Sequence, residues 1–413
     1  MEYEEYLKKL AQKTIADCCF VKDTTYDGIP GKTTLLLPSG DEKYVSFWVR
    51  DCAMMAESGL IPDEELKKYV EIIALYGQNG EETVYLAHGL TVPPFAIADH
   101  INYNGRPVFF PGTYRDTQDQ GNGTYGYFPP FCDNYYFIML AGFYIRQSGD
   151  RAILNNIYKG RSLAERLEKA FAGYQIAPET GLCRSEDRRY TVDWGFVDCV
   201  KKTGLLLMAS LLRYSAAHTL ETLFAADVEK QAYYRQRADQ IAENILKIFY
   251  DEATGWLYSA TGMGRQHDVW ATAYAVYLGV LQEPKTLERM AQAYQNQTVT
   301  ANGYIRHILL TEDFSETSAW EYAQAPYNTY QNGAYWATPL GWYAVALYQY
   351  DPVLADKILG EFVQHTEKYL ALGAPFEWIN RDTADFSGRH YGTSGVLPYV
   401  GLRKILSIKR AEV

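Results

Sequence analysis

Residues Pro375–Leu402 read PFEWINRDTADFSGRHYGTSGVLPYVGL, and the rest of the chain repeats their plan of a polar-aromatic loop followed by a buried helix. In the first half, Glu377 lies between Phe376 and Trp378. The second half is an apolar segment typical of a buried helix. Apolar neighbours raise the pKa of a carboxyl and exclude bulk water, as a catalytic carboxylate requires. A simple loop charge beside two core aromatics explains the same residues equally well.

Helical segments of two kinds alternate along the chain. One kind is apolar nearly all round, as in MLAGFYI (139–145), LLLMASLL (205–212), WATAYAVYLGVL (270–281), LGWYAVALY (340–348) and GVLPYVGL (395–402). The other kind is amphipathic and charged, as in AERLEKAF (164–171) and RADQIAENILKIF (237–249). Helices that are apolar all round are buried, and striped helices lie outside them. Six helices of each kind predict an all-α fold, the (α/α)6 barrel.

The alternative helical fold is a solenoid, whose repeats are about 35–45 residues long and more uniform than these segments. We therefore predict a single barrel domain over residues 1–413, with a small β-ribbon and long loops on the active-site face. The stretch 81–130 is rich in Gly, Tyr and Pro, and structureless stretches of this length are usually functional. We expect it to be a long loop or small subdomain near the active site.

Composition narrows the possible partners. The net charge of −11 argues against binding to nucleic acid or to an anionic membrane, and no apolar run is long enough to span a bilayer. The six cysteines show no C-x-x-C pair, so no zinc site is expected and a reducing cytoplasm is indicated. The start, MEYEEYLKKL, has no apolar core of a signal peptide. No cofactor motif is present, and the oligomeric state stays open.

Acids and aromatic residues stand together where the predicted inner helices begin. In a barrel these entries lie on one face, and they hold Trp48, Arg50, Asp51, Asp133, Asp193, Trp194, Asp198, His267, Asp268, Gln331, Asn332, Trp336 and His390. Each acid alone is explained equally well as a helix N-cap. The accompanying Trp and Tyr residues are not explained in that way. A pocket of acids walled by aromatics fits glycoside hydrolysis, which uses one protonated carboxyl and one carboxylate.

Several motifs occur in an order known from one superfamily. Phe47–Asp51, followed by Gln78–Gly80, resembles an R-D-E stretch and the Q-x-x-G after it. Tyr190–Trp194 resembles a Y-G-D-W helix entry. Glu377 followed by Arg389–Gly392 resembles a segment that carries a general base. With these motifs the chain resembles the six-hairpin glycosidases, most of all the catalytic domain of α-L-rhamnosidases and related trehalase- and glucosidase-type barrels.

This resemblance implies an inverting glycoside hydrolase that acts on a small oligosaccharide or glycoside, with Glu377 as the general base. Cys52 stands where the rhamnosidase stretch has its glutamate, so the general acid is expected elsewhere. Asp51 on the first inner helix is one candidate. Other six-hairpin families carry the acid at the third entry, which here points to Asp193 or Asp198.

The remaining polar and aromatic residues of the entries are expected to bind the sugar. They are Trp48, Arg50, Asp198, Trp194, His267, Asp268, Gln331, Asn332, Trp336, Trp378 and His390. Two other functions fit the same fold. A sugar epimerase of the N-acylglucosamine 2-epimerase type would move protons with His267 and His390. A barrel without catalytic activity would only bind sugar.

Overall fold

The computed structural model describes residues 3–22, 26, 28–29, 32–40, 44–112, 120–319 and 325–411. Within these residues lie twelve α-helices. In chain order they are α1 (Glu4–Cys18), α2 (Val49–Ala56), α3 (Asp63–Ile72), α4 (Phe131–Ser148), α5 (Leu163–Ala172), α6 (Leu207–Leu223), α7 (Val228–Phe249), α8 (Val269–Leu278), α9 (Pro284–Gln295), α10 (Leu340–Tyr350), α11 (Pro352–Tyr369) and α12 (Gly392–Ala411).

Six helices form a closed inner ring. Helices α2, α4, α6, α8, α10 and α12 each contact the next one, and α12 contacts α2. The other helices pack outside: α3 and α5 on α4, α7 on α6, α9 and α11 on α10, and α1 on α12. The predicted all-α barrel of six inner and six outer helices is confirmed. Its last hairpin joins the two ends of the described chain, because α1 is the outer partner of α12.

The two rings follow from side-chain pattern and size. Every residue of α2 is buried, whereas α5 buries one stripe and begins with a capping box between Ser162 and Glu165. Small residues let inner helices approach closely. A Cβ on Gly341 in α10 would lie 2.3 Å from the carbonyl oxygen of Leu397 in α12, so only glycine fits there. Backbone contact of this kind fixes how neighbouring helix entries are spaced.

Short antiparallel strands connect the helix entries. They are β1 (Cys19–Lys22), β2 (Thr33–Leu36), β3 (Phe47–Trp48), β4 (Val84–Tyr85), β5 (Thr91–Val92), β6 (His100–Ile101), β7 (Pro107–Val108), β8 (Ile157–Tyr158), β9 (Arg161–Ser162), β10 (Arg184–Ser185), β11 (Gly204–Leu205), β12 (Thr300–Ala301), β13 (Tyr304–Arg306), β14 (Tyr335–Trp336), β15 (Trp378–Ile379) and β16 (Phe386–Ser387). Strands β12 to β16 form one five-stranded sheet in chain order. This sheet is larger than the predicted β-ribbon. Strands of two or three residues are too short to show alternation in sequence.

Two of these sheets position the site. In the five-stranded sheet Trp336 pairs with Trp378, which brings Glu377 beside the fifth inner-helix entry. In the sheet of β3, β6 and β7, Trp48 pairs with His100, which places Asp99 next to the start of α2.

The stretch 81–130 has a small core of its own. Its buried apolar residues are Leu90, Val92, Ala96, Ala98, Phe109 and Phe110. Residues 113–119 of this stretch lie outside the described part of the chain. The described helices include none that combines the length and apolar character needed to cross a bilayer.

Candidate active site

A pocket of about 440 Å³, open mouth included, lies where the inner helices begin. Four inner-helix entries, the sheet strands and the stretch 81–130 all contribute to its wall. The lining residues are Pro38, Tyr44, Trp48, Arg50, Asp51, Asp99, Pro111, Gly112, Gly195, Phe196, Asp198, Tyr330, Gln331, Trp336, Glu377 and Tyr391. Four of them are carboxyls and one is a guanidinium, so the lining is rich in proton donors and acceptors.

Arg50 is the cation of the pocket floor. Its guanidinium makes a short ion pair with Asp99 and lies 3.6 Å from Oδ1 of Asp133 beneath it. His100 donates from Nδ1 to the other oxygen of Asp99 at 2.8 Å. Although burial opposes ionisation of Asp99, Arg50 and His100 outweigh it and lower the pKa of Asp99. Asp99 therefore carries the negative charge that neutralises Arg50.

Asp51 follows Arg50 on the first turn of α2. The hydroxyl of Tyr391 donates to Asp51 Oδ1 at 3.2 Å, and Arg50 Nε lies 3.9 Å from Oδ2. Burial raises the pKa of Asp51 to about 7, against the opposing influence of Arg50. Asp51 thus accepts one hydrogen bond and lies at ion-pair distance from Arg50, an arrangement suited to holding a ligand hydroxyl in place.

Glu377 is 1% exposed and lies in the loop immediately before β15. The hydroxyl of Tyr44 donates to its Oε1 at 2.9 Å. Gly388 lies directly behind the carboxylate, because a Cβ there would be 2.6 Å from Glu377 Oε2. The backbone N–H of Glu377 donates to the carbonyls of Ser387 and Gly388 at 2.8 Å. Backbone and side chain are therefore both fixed against β16.

Asp198 follows a short 3-10 turn at the third inner-helix entry. The side-chain amide of Gln331 donates to Asp198 Oδ1 at 3.0 Å. Within the described residues, Oδ2 has no hydrogen-bond partner. Burial raises the pKa of Asp198 to about 6, while Gln331 and Arg50 oppose the shift. Asp198 therefore offers a proton near neutral pH from an oxygen that a ligand can reach.

Aromatic rings surround these carboxyls. Phe196 meets Trp336 edge to face at 6.3 Å between ring centroids, and Tyr391 meets both of them at 6.2 and 6.5 Å. Tyr44 contacts Trp48 edge to face at 5.4 Å. A wall of interlocked rings is rigid and presents flat apolar faces to a ligand.

The structure brings seven of the predicted site residues to this pocket and places seven others elsewhere. Those on the wall are Trp48, Arg50, Asp51, Asp198, Gln331, Trp336 and Glu377. Among the described residues that line the pocket, none is Asp193, Trp194, His267, Asp268, Asn332, Trp378 or His390. Each of these seven has other contacts that explain its burial or position.

Asp193 and Asp268 belong to a buried ion cluster, together with Lys202 and His307. Lys202 donates to Asp193 at 3.1 Å and to Asp268 at 3.3 Å, and His307 Nε2 lies 3.2 Å from Asp268. The second oxygen of each aspartate accepts a backbone N–H at the start of α6 or α8. All four side chains are at most 1% exposed. Asp193 thus ties two helix entries together.

We expect Asp193→Asn to lower the free energy of unfolding by about 2 kcal/mol, because it removes a charged partner of Lys202. The rate of catalysis should stay nearly unchanged. Urea denaturation with activity assays on the same samples measures both. Asp227→Asn is the matched control, since exposed Asp227 caps α7 and Asn caps a helix as well as Asp does. A selective loss of activity on substrates with poor leaving groups would return the acid role to Asp193.

Four further residues have structural contacts. Trp194 donates to the hydroxyl of Tyr136 and packs on Trp270 inside the ring. Asn332 ties its loop together with four hydrogen bonds. Trp378 is half-buried within β15. His390 occupies a turn with φ 52°, and its carbonyl accepts from the N–H of Gly40.

His267 forms a clasp between two loops. Its Nδ1 lies 2.6 Å from Glu312 and its Nε2 lies 3.0 Å from Asp251. The ring stacks on Tyr258, whose ring also lies 4.7 Å from the Arg265 guanidinium. Burial alone would lower the pKa of His267, but Glu312 and Asp251 outweigh it and raise that pKa.

This clasp predicts a pH dependence of stability. A pKa raised in the folded state means that the clasp contributes fully below the usual histidine pKa of about 6.5. That contribution is lost as the pH rises through the higher pKa of folded His267. We expect the difference in unfolding free energy between wild type and His267→Gln to shrink over this window. Urea titrations at pH 5.5 to 8.5 measure it, and a constant difference would contradict the clasp.

Several lining residues are not among the site residues predicted from the sequence. Asp99, Tyr44, Tyr391 and Phe196 all lie on the pocket wall. Tyr391 and Phe196 stand within two residues of selected positions, so the entry pattern nearly included them. Asp99 carries no such signal, because it precedes a two-residue strand inside the stretch 81–130.

Compared by sequence, the chain matches no family model and no curated protein. Compared by structure, it matches a rhamnosidase from Klebsiella oxytoca with rhamnose bound, at 13% identity and a TM-score of 0.57. That match covers 98% of this chain but 64% of the rhamnosidase, less than two thirds of its length.

Two other similar structures match over their whole length. A GH63 mannosylglycerate hydrolase from Thermus thermophilus in complex with glucose shows 13% identity and a TM-score of 0.57, with 96% of this chain and 100% of that chain covered. A glycosidase variant in complex with glucose shows 9% identity and a TM-score of 0.59, with 98% of each chain covered. The chain therefore has the six-hairpin fold shared by these glycosidases, as the motif order predicted.

Proposed function

We propose that this protein is an inverting glycoside hydrolase with Glu377 as the general base and Asp198 as the general acid. The observation that carries the proposal is that two buried carboxyls with different surroundings line one aromatic pocket. Asp198 has a raised pKa of about 6 and an oxygen without a protein partner among the described residues. Glu377 is fixed by Tyr44 and by the sheet. Such a division of roles is what glycoside hydrolysis requires.

The proposed reaction uses one water. Glu377 takes a proton from the water while the water oxygen bonds to the anomeric carbon. The glycosidic bond to the leaving oxygen breaks, and Asp198 gives its proton to that oxygen. Inversion is supported by the resemblance of the Glu377 segment to one that carries a general base. Asp51 and Arg50, on the pocket floor, are proposed to bind hydroxyls of the sugar.

The charge of the pocket favours a neutral sugar ring. Arg50 is already paired with Asp99, and the described residues of the lining include no other cation beside Asp51, Asp198 and Glu377. A carboxylate-bearing sugar would meet repulsion from Glu377, the proposed general base.

The epimerase alternative receives no support from the geometry. It needs His267 and His390 at the ligand, whereas neither is among the described residues of the pocket wall. The purely sugar-binding alternative is separated from the hydrolase by experiment alone.

A screen of neutral aryl glycosides tests the proposal. We expect release of the aglycone from one or a few of them, and proton NMR of the first-formed sugar should show the anomer opposite to that of the substrate. Retention of configuration would contradict the role of Glu377. Sugar binding without hydrolysis, measured by calorimetry, would favour the sugar-binding barrel.

We further propose that the reaction takes place in the cytoplasm. All six cysteines are free thiols and five of them are buried, which suits a reducing compartment. Cell fractionation with an antibody against the protein tests this location.

A further inference from the structure

Gln331 connects the carboxyl of Asp198 to the buried ion cluster of Lys202, Asp193, Asp268 and His307. Its side-chain amide donates to Asp198, and its backbone carbonyl faces His307 of the cluster. The residue is 1% exposed and lies in the loop that leads to β14. Its amide lies on the pocket wall, where Nε2 donates to Asp198 and Oε1 accepts from Cys199.

The orientation of the Gln331 amide is fixed by its neighbours. Its Oε1 accepts the backbone N–H of Cys199 at 3.0 Å, so Nε2 is the end that faces Asp198. A flipped amide would place an amide N–H against the N–H of Cys199. Gln331 therefore donates to Asp198 Oδ1 whether Asp198 is ionised or protonated. A proton on Asp198 must then reside on Oδ2.

His307 fixes the backbone of Gln331. Its Nδ1 lies 3.1 Å from the carbonyl oxygen of Gln331, and its Nε2 faces Asp268. The ring is fully buried and stacks on Trp270 at 4.4 Å between centroids. With an acceptor at each nitrogen, the ring has no other favourable orientation. The loop carrying Gln331 is thus anchored to the same cluster that joins α6 to α8.

We propose that Gln331 is a positioning residue that directs the acidic proton of Asp198 to Oδ2, with His307 holding Gln331 in register. The inference rests on the proposed function, because it assumes that Asp198 is the general acid. Gln331 itself does not transfer a proton. Because Gln331 occupies Oδ1, only Oδ2 of Asp198 can give a proton to the leaving oxygen of the substrate.

The pKa of Asp198 depends on its burial and on the charged and polar groups near it. Arg50 and the Gln331 amide favour the carboxylate, while Asp99 and Glu377 disfavour it, and burial is the largest influence. Loss of the Gln331 donor removes one of the two favourable contacts, so the pKa of Asp198 should rise. A purely structural role of Gln331 would not move that pKa.

The experiment compares Gln331→Ala and Gln331→Glu with wild type and with Asp198→Asn. Each is assayed from pH 5 to 9 on an alkyl glycoside and on a dinitrophenyl glycoside of the sugar found in the screen. For Gln331→Ala we expect kcat on the alkyl glycoside to fall about tenfold, with the alkaline limb of the profile moved about one pH unit upward. Gln331→Glu should move that limb further, because two carboxyls then share one proton. Activity on the dinitrophenyl glycoside should change little.

Asn332→Ala is the control for a loosened loop, since Asn332 holds the same loop without contacting Asp198. It should leave the alkaline limb in place. An unmoved limb in both Gln331 variants, or equal losses on both substrates, would overturn the inference about Gln331. If Asp198→Asn shows no dependence on the leaving group, the proposed acid itself is wrong. The two failures are therefore distinguishable.

Discussion

Glu377→Gln is expected to reduce kcat by at least ~10²-fold with little change in KM. The substitution keeps the shape of the side chain, so the hydroxyl of Tyr44 can still donate to the remaining oxygen. What is lost is the basic oxygen that takes the proton from water. Because the loss concerns the transition state, it should appear in kcat and in kcat/KM alike. Steady-state kinetics on the best substrate of the screen measures it.

Glu57→Gln is the matched control for this variant. Glu57 follows the far end of α2, where its carboxylate accepts from the hydroxyl of Tyr277 at 2.5 Å. The chemical change is the same, but this glutamate is not among the described residues of the pocket. We expect kcat to stay near the wild-type value. Comparable losses in both variants would indicate general damage to the fold and would remove the evidence for Glu377 as the base.

The helices could be predicted from sequence because burial all round leaves a strong local pattern. Segments such as 270–281 contain almost no polar residue, and the structure buries them in the inner ring. The pairing of α1 with α12 is different, because nothing local connects two helices at opposite ends of the chain. It follows from closure of the ring, which only the whole set of contacts reveals.

The site was predictable as a region and not residue by residue. Asp193 and Asp198 stand five positions apart in one helix entry and look alike in sequence. What separates them is Lys202, which turns inward, is fully buried and binds Asp193. A lysine is almost never fully buried unless it is paired, so sequence alone suggests a surface position for it. The choice between the two aspartates depended on a tertiary ion pair that no spacing rule contains.

Asp99 is a pocket residue that could not be predicted from the sequence. It stands in a stretch without clear periodicity, next to a strand of two residues. Only the pairing of that strand with β3 brings it to Arg50. Aromatic residues were easier to place, since Trp48 and Trp336 lie next to helix entries whose buried helices are evident in the sequence.

Asp198→Asn is expected to reduce kcat at least ~10²-fold on alkyl glycosides and to spare dinitrophenyl glycosides, whose leaving group needs no proton. The raised pKa of about 6 adds a pH signature. In wild type the acid must be protonated, so activity on alkyl glycosides should decline as the pH rises above about 6. That decline should be absent in the variant.

Asp51→Asn and Asp193→Asn complete the test, because sequence alone could not choose among the three aspartates. Asp51 accepts a hydrogen bond from Tyr391 and lies 3.9 Å from Arg50 on the pocket floor, so its loss should mainly raise KM. Asp193 is bound to Lys202 and to the start of α6, so its loss should mainly lower stability. If Asp51→Asn spares dinitrophenyl glycosides and Asp198→Asn does not, the acid is on the first inner helix. Dependence on the leaving group identifies the proton donor even when all three variants lose activity, because only the donor's loss is offset by a better leaving group.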